Sequence, residues 1–399
     1  MTHRPLTRSE IAASARRVVV KLGTAVLTGD DGRLAVDRLE SFVAAIDGLR
    51  RRGVEVLLVT SGAVGLGAAR LGLDRAQLTL AQKQACAAVG QGRLMALYSV
   101  AFDRFGTAAA QLLLTEEDLH QRRRYLNLRG TLFELLKNGA VPVINENDSV
   151  SSAELEPVDE SDAPASSESP RKVNFGDNDK LSALVASKVG ADLLLLLTDV
   201  DGLYDKNPSE PGASLLDVVA RVTPEIVALA GGARLGRGGM RTKVEAARIA
   251  GLSGCSTVIA NGRLPQVIER AFAGEPLGTL FLAQEGLSSR RRWIAFATTV
   301  GAAIVVNDGA RRALVGGKAS LLGAGVTAVH GDFARGDVVA IVDASGAEFA
   351  RGQVNYSSEE ARAVSGKPSS SLDQLVADRN YDALVTRDNL ALLEGSDRG

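Results

Sequence analysis

The stretch Val18-Val19-Val20-Lys21-Leu22-Gly23-Thr24 decides the fold: three β-branched apolar residues in a row, then a lysine, then a glycine. A run that is apolar at successive positions, instead of alternate ones, is a strand covered on both faces. The next segment has the other period. Leu39, Phe42, Val43, Ile46 and Leu49 fall on one face of a helix. Asp37, with Glu40 three residues later, reads as the cap of that helix, and Gly53 as its stop. Val54 to Val59 is again nearly continuous in apolar residues. So are Ala110 to Leu114, Val141 to Ile144, Leu193 to Leu197 and Thr257 to Ala260, with helical stretches between them. This alternation predicts an α/β fold, an open, mostly parallel sheet sandwiched by helices.

The strands end alike. Lys21-Leu22-Gly23-Thr24 closes the first and Thr60-Ser61-Gly62-Ala63 the second. Asn145-Glu146-Asn147-Asp148, Thr198-Asp199 and Asn261-Gly262 close three others. In open α/β sheets a ligand binds outside the carboxyl ends of the strands. Each segment alone is also what a satisfied turn looks like, but five of them at one edge make a site.

Outside this pattern the chain changes character. Residues 151–172 carry acids, serines and prolines with nothing to bury, and are expected to be a flexible acidic insertion in a first domain spanning 1–282. A polar link at 283–290 leads to short β runs broken by glycine turns over 291–366, the pattern of a small β-barrel-like domain, and a tail follows over 367–399. Lys plus Arg number 46 and Asp plus Glu 47, so no global basic field draws nucleic acid or an anionic membrane. The second domain holds eight Arg/Lys against seven Asp/Glu, which argues against RNA as its partner. Two distant cysteines, Cys86 and Cys255, point to a reduced compartment. The N-terminal arm has no apolar core of a secretory signal, and the Leu193–Leu197 run is too short to span a bilayer, so a cytoplasmic location is expected.

The candidate chemistry is phosphate chemistry. The chain has no Gly-x-x-x-x-Gly-Lys-Ser/Thr loop, which excludes a P-loop NTPase. Instead Gly236-Arg237-Gly238-Gly239-Met240-Arg241-Thr242-Lys243 runs into a helix, where backbone N–H groups, the helix N-terminus and a lysine could meet a phosphate. Lys21 sits at an apolar strand end, where an ammonium is costly unless paired, although it could also snorkel to solvent. In Gly176-Asp177-Asn178-Asp179 the first acid could be a helix cap, and Asp179 could hold the two ammonium groups. The three histidines, His3, His120 and His330, stand at no strand end of the first domain, so no histidine base is offered there. A kinase acting on an alcohol usually needs a base. One acting on a carboxylate does not, because an acceptor with a pKa of about 4 is already ionised at pH 7. No residue pattern designates a resident metal site.

Together, Val20-Lys21-Leu22-Gly23-Thr24, Thr60-Ser61-Gly62-Ala63, Asn145-Glu146-Asn147-Asp148, Gly176-Asp177-Asn178-Asp179 and Gly238-Gly239-Met240-Arg241-Thr242-Lys243 resemble the glutamate 5-kinases of the amino-acid kinase superfamily, and residues 291–366 resemble a PUA domain. The resemblance implies that Lys21 and Lys243 stabilise the transferring phosphoryl group, with Asp179 orienting them. It implies that Ser61, Gly62, Ala63, Asn145, Asp148 and Asn178 bind L-glutamate. Lys21, Thr198, Asp199 and the stretch Arg237, Gly238, Gly239, Met240, Arg241, Thr242 and Lys243 would bind ATP. It further implies Mg²⁺ with the nucleotide and γ-glutamyl phosphate as product, the first intermediate of proline biosynthesis. Feedback inhibition by proline and a homo-oligomer, dimer or tetramer, belong to the same expectation. Position 237 is Arg where the motif usually has Thr, and the segment between Asp148 and Gly176 is longer than is usual in these enzymes.

Overall fold

The computed structural model describes residues 6–29, 33–150, 178–231, 239–284, 294, 301–316, 319–367 and 383–393. The 151–172 insertion, Gly176 and Asp177, Arg237 and Gly238, and most of the 283–290 link lie outside the described residues. The chain divides into two units, Met1–Gly286 and Leu287–Gly399.

In the first unit α1 (Arg8–Ser14) leads into β1 (Arg17–Leu22), followed by α2 (Thr24–Leu27), α3 (Val36–Arg51), β2 (Glu55–Thr60) and α4 (Ala63–Leu71). Next come α5 (Leu80–Asp103), β3 (Ala109–Leu114), α6 (Glu116–His120), α7 (Arg122–Lys137) and β4 (Val141–Glu146). The remainder is α8 (Asn178–Val189), β5 (Leu193–Thr198), β6 (Val218–Val219), α9 (Pro224–Leu229), α10 (Met240–Leu252), β7 (Ser256–Asn261), α11 (Val267–Phe272) and β8 (Thr279–Phe281).

These strands form one eight-stranded sheet in the order β3-β4-β2-β1-β5-β7-β8-β6. β1 lies at its centre, parallel to β2 and β5, with Val20 opposite Leu58 on one side and Leu195 on the other. Among the described strands of this sheet, β8 alone runs against a neighbour, β7. Both faces of the middle strands are covered, which is why their sequences are continuously apolar: every residue of β5, Leu-Leu-Leu-Leu-Leu-Thr, is buried. Leucine has no strong β preference, and the whole propensity scale spans about 1 kcal/mol. Burying each leucine is worth about 1.5–3 kcal/mol, so burial decides the conformation. The parallel order brings the carboxyl ends of β4, β2, β1, β5 and β7 to one edge.

The helical face Leu39, Phe42, Val43, Ile46 and Leu49 is buried as its spacing requires. The start of α3 differs from expectation. The cap position is Ala35, with no side-chain hydrogen bond, and Asp37 falls inside the first turn. There its charge complements the helix dipole, while Glu40 pairs with Arg104 at 2.6 Å in place of closing a capping box.

α4 and α5 pack with their backbones in contact. A Cβ on Gly90 would stand 1.7 Å from the Ala63 carbonyl oxygen, and one on Gly67 1.8 Å from that of Cys86. This contact sets how closely α5 approaches the segment Ser61-Gly62-Ala63. Gly90→Ala is therefore expected to lower stability by about 2–3 kcal/mol, read as a lower denaturant midpoint for the first unit. An unchanged midpoint would mean that the two helices are not held at backbone distance.

The second unit has its own core, including Ile304, Val306, Val339, Ile341 and Leu384. β9 (Ala303–Val306), α12 (Asp308–Val315), β10 (Val326–His330), β11 (Val338–Val342), β12 (Glu348–Gln353), α13 (Ser358–Val364) and β13 (Leu390–Leu392) follow in order. The strands form a five-stranded sheet in the order β10-β9-β11-β12-β13. Leu390–Leu392, which the sequence pattern left in a tail, pairs antiparallel with β12 through Ala350, Arg351 and Gly352. Three residues carry too little periodicity to mark a strand.

Candidate active site

The cleft at the carboxyl edge of the first sheet has a volume of about 620 Å³. Its chemistry begins at Lys21, the fifth residue of β1, which packing on both sides of the strand leaves 5% exposed. An ammonium so buried needs a counter-charge. Asp179 supplies it: fully buried in the first turn of α8, it pairs with Lys21 through Oδ1 and with Lys243 through Oδ2 at 3.0 Å. Lys243 stands one turn into α10, whose cap residue is Gly239, and is also 5% exposed. One carboxylate thus spaces two ammonium groups delivered by elements 222 residues apart in the chain, as the difference of 243 and 21 gives. Burial pushes the Asp179 carboxyl up, but the charges and hydrogen bonds of Lys21 and Lys243 outweigh it and hold the group at about 2. Thr242 braces the arrangement: its hydroxyl donates to the Gly239 carbonyl at 2.8 Å and lies 3.2 Å from Asp179 Oδ2.

A second cluster lies beside the first. Asn178 Nδ2 donates to Ser61 Oγ at 2.8 Å and to Asn145 Oδ1 at 3.1 Å. Asn145 is the penultimate residue of β4 and is 1% exposed. Asp148, 6% exposed, lines the same cleft. Gly62 caps α4 with φ +108°, a left-handed conformation that favours glycine, and so turns the chain from β2 straight into the helix. The start of α4 then faces the cleft with Ser61, Gly62 and Ala63.

Lys21, Lys243, Ser61, Gly62, Ala63, Asn145, Asp148, Asn178, Thr198 and Asp199 therefore converge on one cleft, with Asp179 behind the two lysines. Among the residues expected to meet nucleotide, Thr198 and Asp199 line it from the end of β5. Gly239, Met240, Arg241 and Thr242 are not among its described lining residues, and Arg241 is exposed. Arg75 and Lys83 also line the cleft and were not foreseen. Thr79 and Gln82 form a capping box at the start of α5, a signal present in the sequence that places Lys83 in the first turn of that helix. Gln91, buried in the same helix, accepts a hydrogen bond from Asn145 Nδ2 at 2.9 Å.

Four cations facing the cleft outnumber the two carboxylates Asp148 and Asp199, so it favours anions. None of its described lining residues is a histidine or cysteine. The arrangement suits bringing two anionic groups together and neutralising the charge between them. Among the described residues no group of three or more His, Cys, Asp or Glu could hold a metal ion, and no helix is long and apolar enough to cross a membrane.

Residues 16–261 match the model of the amino acid kinase family, and residues 302–376 that of the PUA domain. A glutamate 5-kinase of Caldanaerobacter subterraneus subsp. tengcongensis is 44% identical over 386 residues, covering 96% of this chain and 99% of the relative. One of Trichlorobacter lovleyi is 46% identical over 393 residues, covering 98% and 100%. One of Moorella thermoacetica is 45% identical over 385 residues, covering 96% and 97%.

Proposed function

This chain belongs to the amino acid kinase family, and from that premise we propose that it transfers the γ-phosphoryl group of ATP to the γ-carboxylate of L-glutamate, giving γ-glutamyl phosphate. The observation that carries the reading is the buried Lys21–Asp179–Lys243 bridge beside an amide-lined pocket whose described lining residues include no histidine or cysteine. A γ-carboxylate oxygen attacks the γ-phosphorus, a P–O bond forms, and the bond to the bridging oxygen of ADP breaks. No proton moves, because the acceptor is already ionised. Lys21 and Lys243 face the phosphoryl oxygens, where charge shifts as the bonds exchange. Asp179 keeps both ammonium groups charged and apart. Ser61, Gly62, Ala63, Asn145, Asp148 and Asn178 hold glutamate, and Thr198, Asp199 and the Arg237–Lys243 segment hold the nucleotide.

Mg²⁺ fits this donor set as a passenger of the nucleotide. Mg²⁺ is usually held by one or two carboxylates together with substrate phosphates and water, and Asp199, next to Thr198, is the carboxylate facing the cleft that is not assigned to glutamate. When bound it supplies charge neutralisation on the phosphates. Inhibition by proline, assembly into a homo-oligomer, a cytoplasmic location and a place at the first step of proline biosynthesis complete the reading, by kinship with glutamate 5-kinases.

With ATP, Mg²⁺ and hydroxylamine, L-glutamate is expected to yield γ-glutamyl hydroxamate, because an acyl phosphate is attacked readily by that nucleophile. Aspartate and N-acetylglutamate are expected to react poorly. Preferential turnover of N-acetylglutamate would overturn the assignment.

A further inference from the structure

We propose that Gln91 is a positioning residue that sets which way round the amides of the site face, and thereby makes the cleft selective for a substrate carrying a free ammonium group. The inference rests on the proposed activity and concerns a residue that is not among the cleft's described lining residues.

A carboxamide has a donating end and an accepting end, so in a chain of amides the orientation of one dictates the next. Gln91 Oε1 accepts from Asn145 Nδ2 at 2.9 Å, which turns Asn145 Oδ1 the other way. That oxygen accepts from Asn178 Nδ2 at 3.1 Å, and the same nitrogen donates to Ser61 Oγ at 2.8 Å. Both donor hydrogens of Asn178 are then used inside the protein. What is left is Asn178 Oδ1, which is buried and has no hydrogen-bond partner among the described residues. Asn178 is 4% exposed and lines the cleft. A buried acceptor without a donor is costly, and a ligand that brings a donor removes the cost. Asp148 lines the same cleft and adds a negative charge, so the fitting donor is a cationic one. The α-ammonium of an amino acid meets both requirements.

Were Gln91 turned round, each amide after it would turn as well, and Asn178 would offer N–H to the cleft, repelling an ammonium and inviting a carboxylate. Gln91 is held in place by its helix: the adjacent Gly90 lies against the Ala63 carbonyl, which fixes the distance from α5 to the site. Gln91 is itself 8% exposed, so water has little access to substitute for it.

The test compares L-glutamate with glutarate, the same diacid without the ammonium, as substrate or as competitor. In the full-length chain Gln91→Met keeps the side-chain length and removes the hydrogen bond. The expected result is a rise of roughly tenfold in KM for glutamate, the value of one charge-assisted hydrogen bond. The change in kcat should stay within about threefold, KM for ATP should hold, and affinity for glutarate should move less than about twofold. A carboxylate offers only acceptors, so Gln91→Glu holds the relay as it stands and should recover most of the glutamate KM. Equal weakening of glutamate and glutarate in Gln91→Met would show a merely structural role and overturn the proposal. Loss of the glutamate preference in Gln91→Glu would overturn it too, even if the Met variant fails to fold. The two failures separate: no glutamate phosphorylation by the unmodified chain refutes the assigned activity, whereas an unchanged glutamate-to-glutarate ratio in an active Gln91→Met enzyme refutes the relay alone.

Discussion

Lys243→Ala is expected to lower kcat by roughly 10²–10³-fold, the usual loss when one preorganised electrostatic donor is removed. KM for glutamate should change little, because the amide cluster that would hold glutamate is built from α8, β4 and the start of α4, without α10. Two features make the effect large. Lys243 is 5% exposed, so its charge acts with little water between it and the transferring group. Its position is also fixed by Asp179, so no rearrangement is needed as charge develops. Steady-state kinetics with varied ATP and glutamate separates the possibilities. A variant with near-normal kcat and weakened ATP affinity alone would assign Lys243 to binding and contradict the mechanism.

Asp179→Asn should be damaging to both fold and activity. It leaves Lys21 and Lys243 buried, close together and without their shared counter-charge, and breaking a buried ion pair in this way costs about 3–5 kcal/mol. The folded-state pKa of about 2 lies below the ordinary 3.8, so the ionised carboxylate favours the folded chain at neutral pH. That contribution should fade as pH falls from about 4 towards 2, and Asp179→Asn should show a flatter loss of stability across that window. Adding Lys21→Met to Asp179→Asn should restore part of the stability, by relieving like-charge repulsion, and none of the kcat. Denaturant midpoints against pH, with kcat for the single and double variants, measure both effects. A change under about 1 kcal/mol would show that Asp179 is not the shared counter-charge of the two lysines.

The middle of the sheet was legible because burial on both faces leaves an unbroken apolar run, and β1, β2, β4, β5 and β7 all sit within a residue or two of where such runs lie. β6 was not legible, since two residues have no period, and neither was the reversal of β8, since strand direction is set by pairing and not by composition. In the site, Lys21, Asp179 and Lys243 stood out because charged residues at strand or helix ends beside glycines demand an explanation. Gln91 did not. It lies in the middle of a 24-residue helix, α5, and nothing in its sequence neighbourhood says that its carbonyl meets Asn145, 54 positions away. Arg75 and Lys83 were hidden for a related reason: a surface cation is ordinary until the tertiary fold brings it to a cleft. Residues that touch substrate sit in recognisable local settings. Those that steer them from another element emerge only from tertiary contact.

The strand β13 occupies Leu390–Leu392 of a 399-residue chain. A polypeptide is made from its N-terminus, and domains fold as they emerge. The first unit can complete its central sheet while the second is still being synthesised. The second sheet cannot gain its last strand until Leu392 has emerged. Until then the outer edge of β12 presents unpaired N–H and C=O groups, an invitation to any other extended segment nearby. The sheet thus takes its edge-sealing strand from residues that follow all its other strands, and loss of Leu390–Leu392 alone would leave the first unit whole and the outer edge of β12 open.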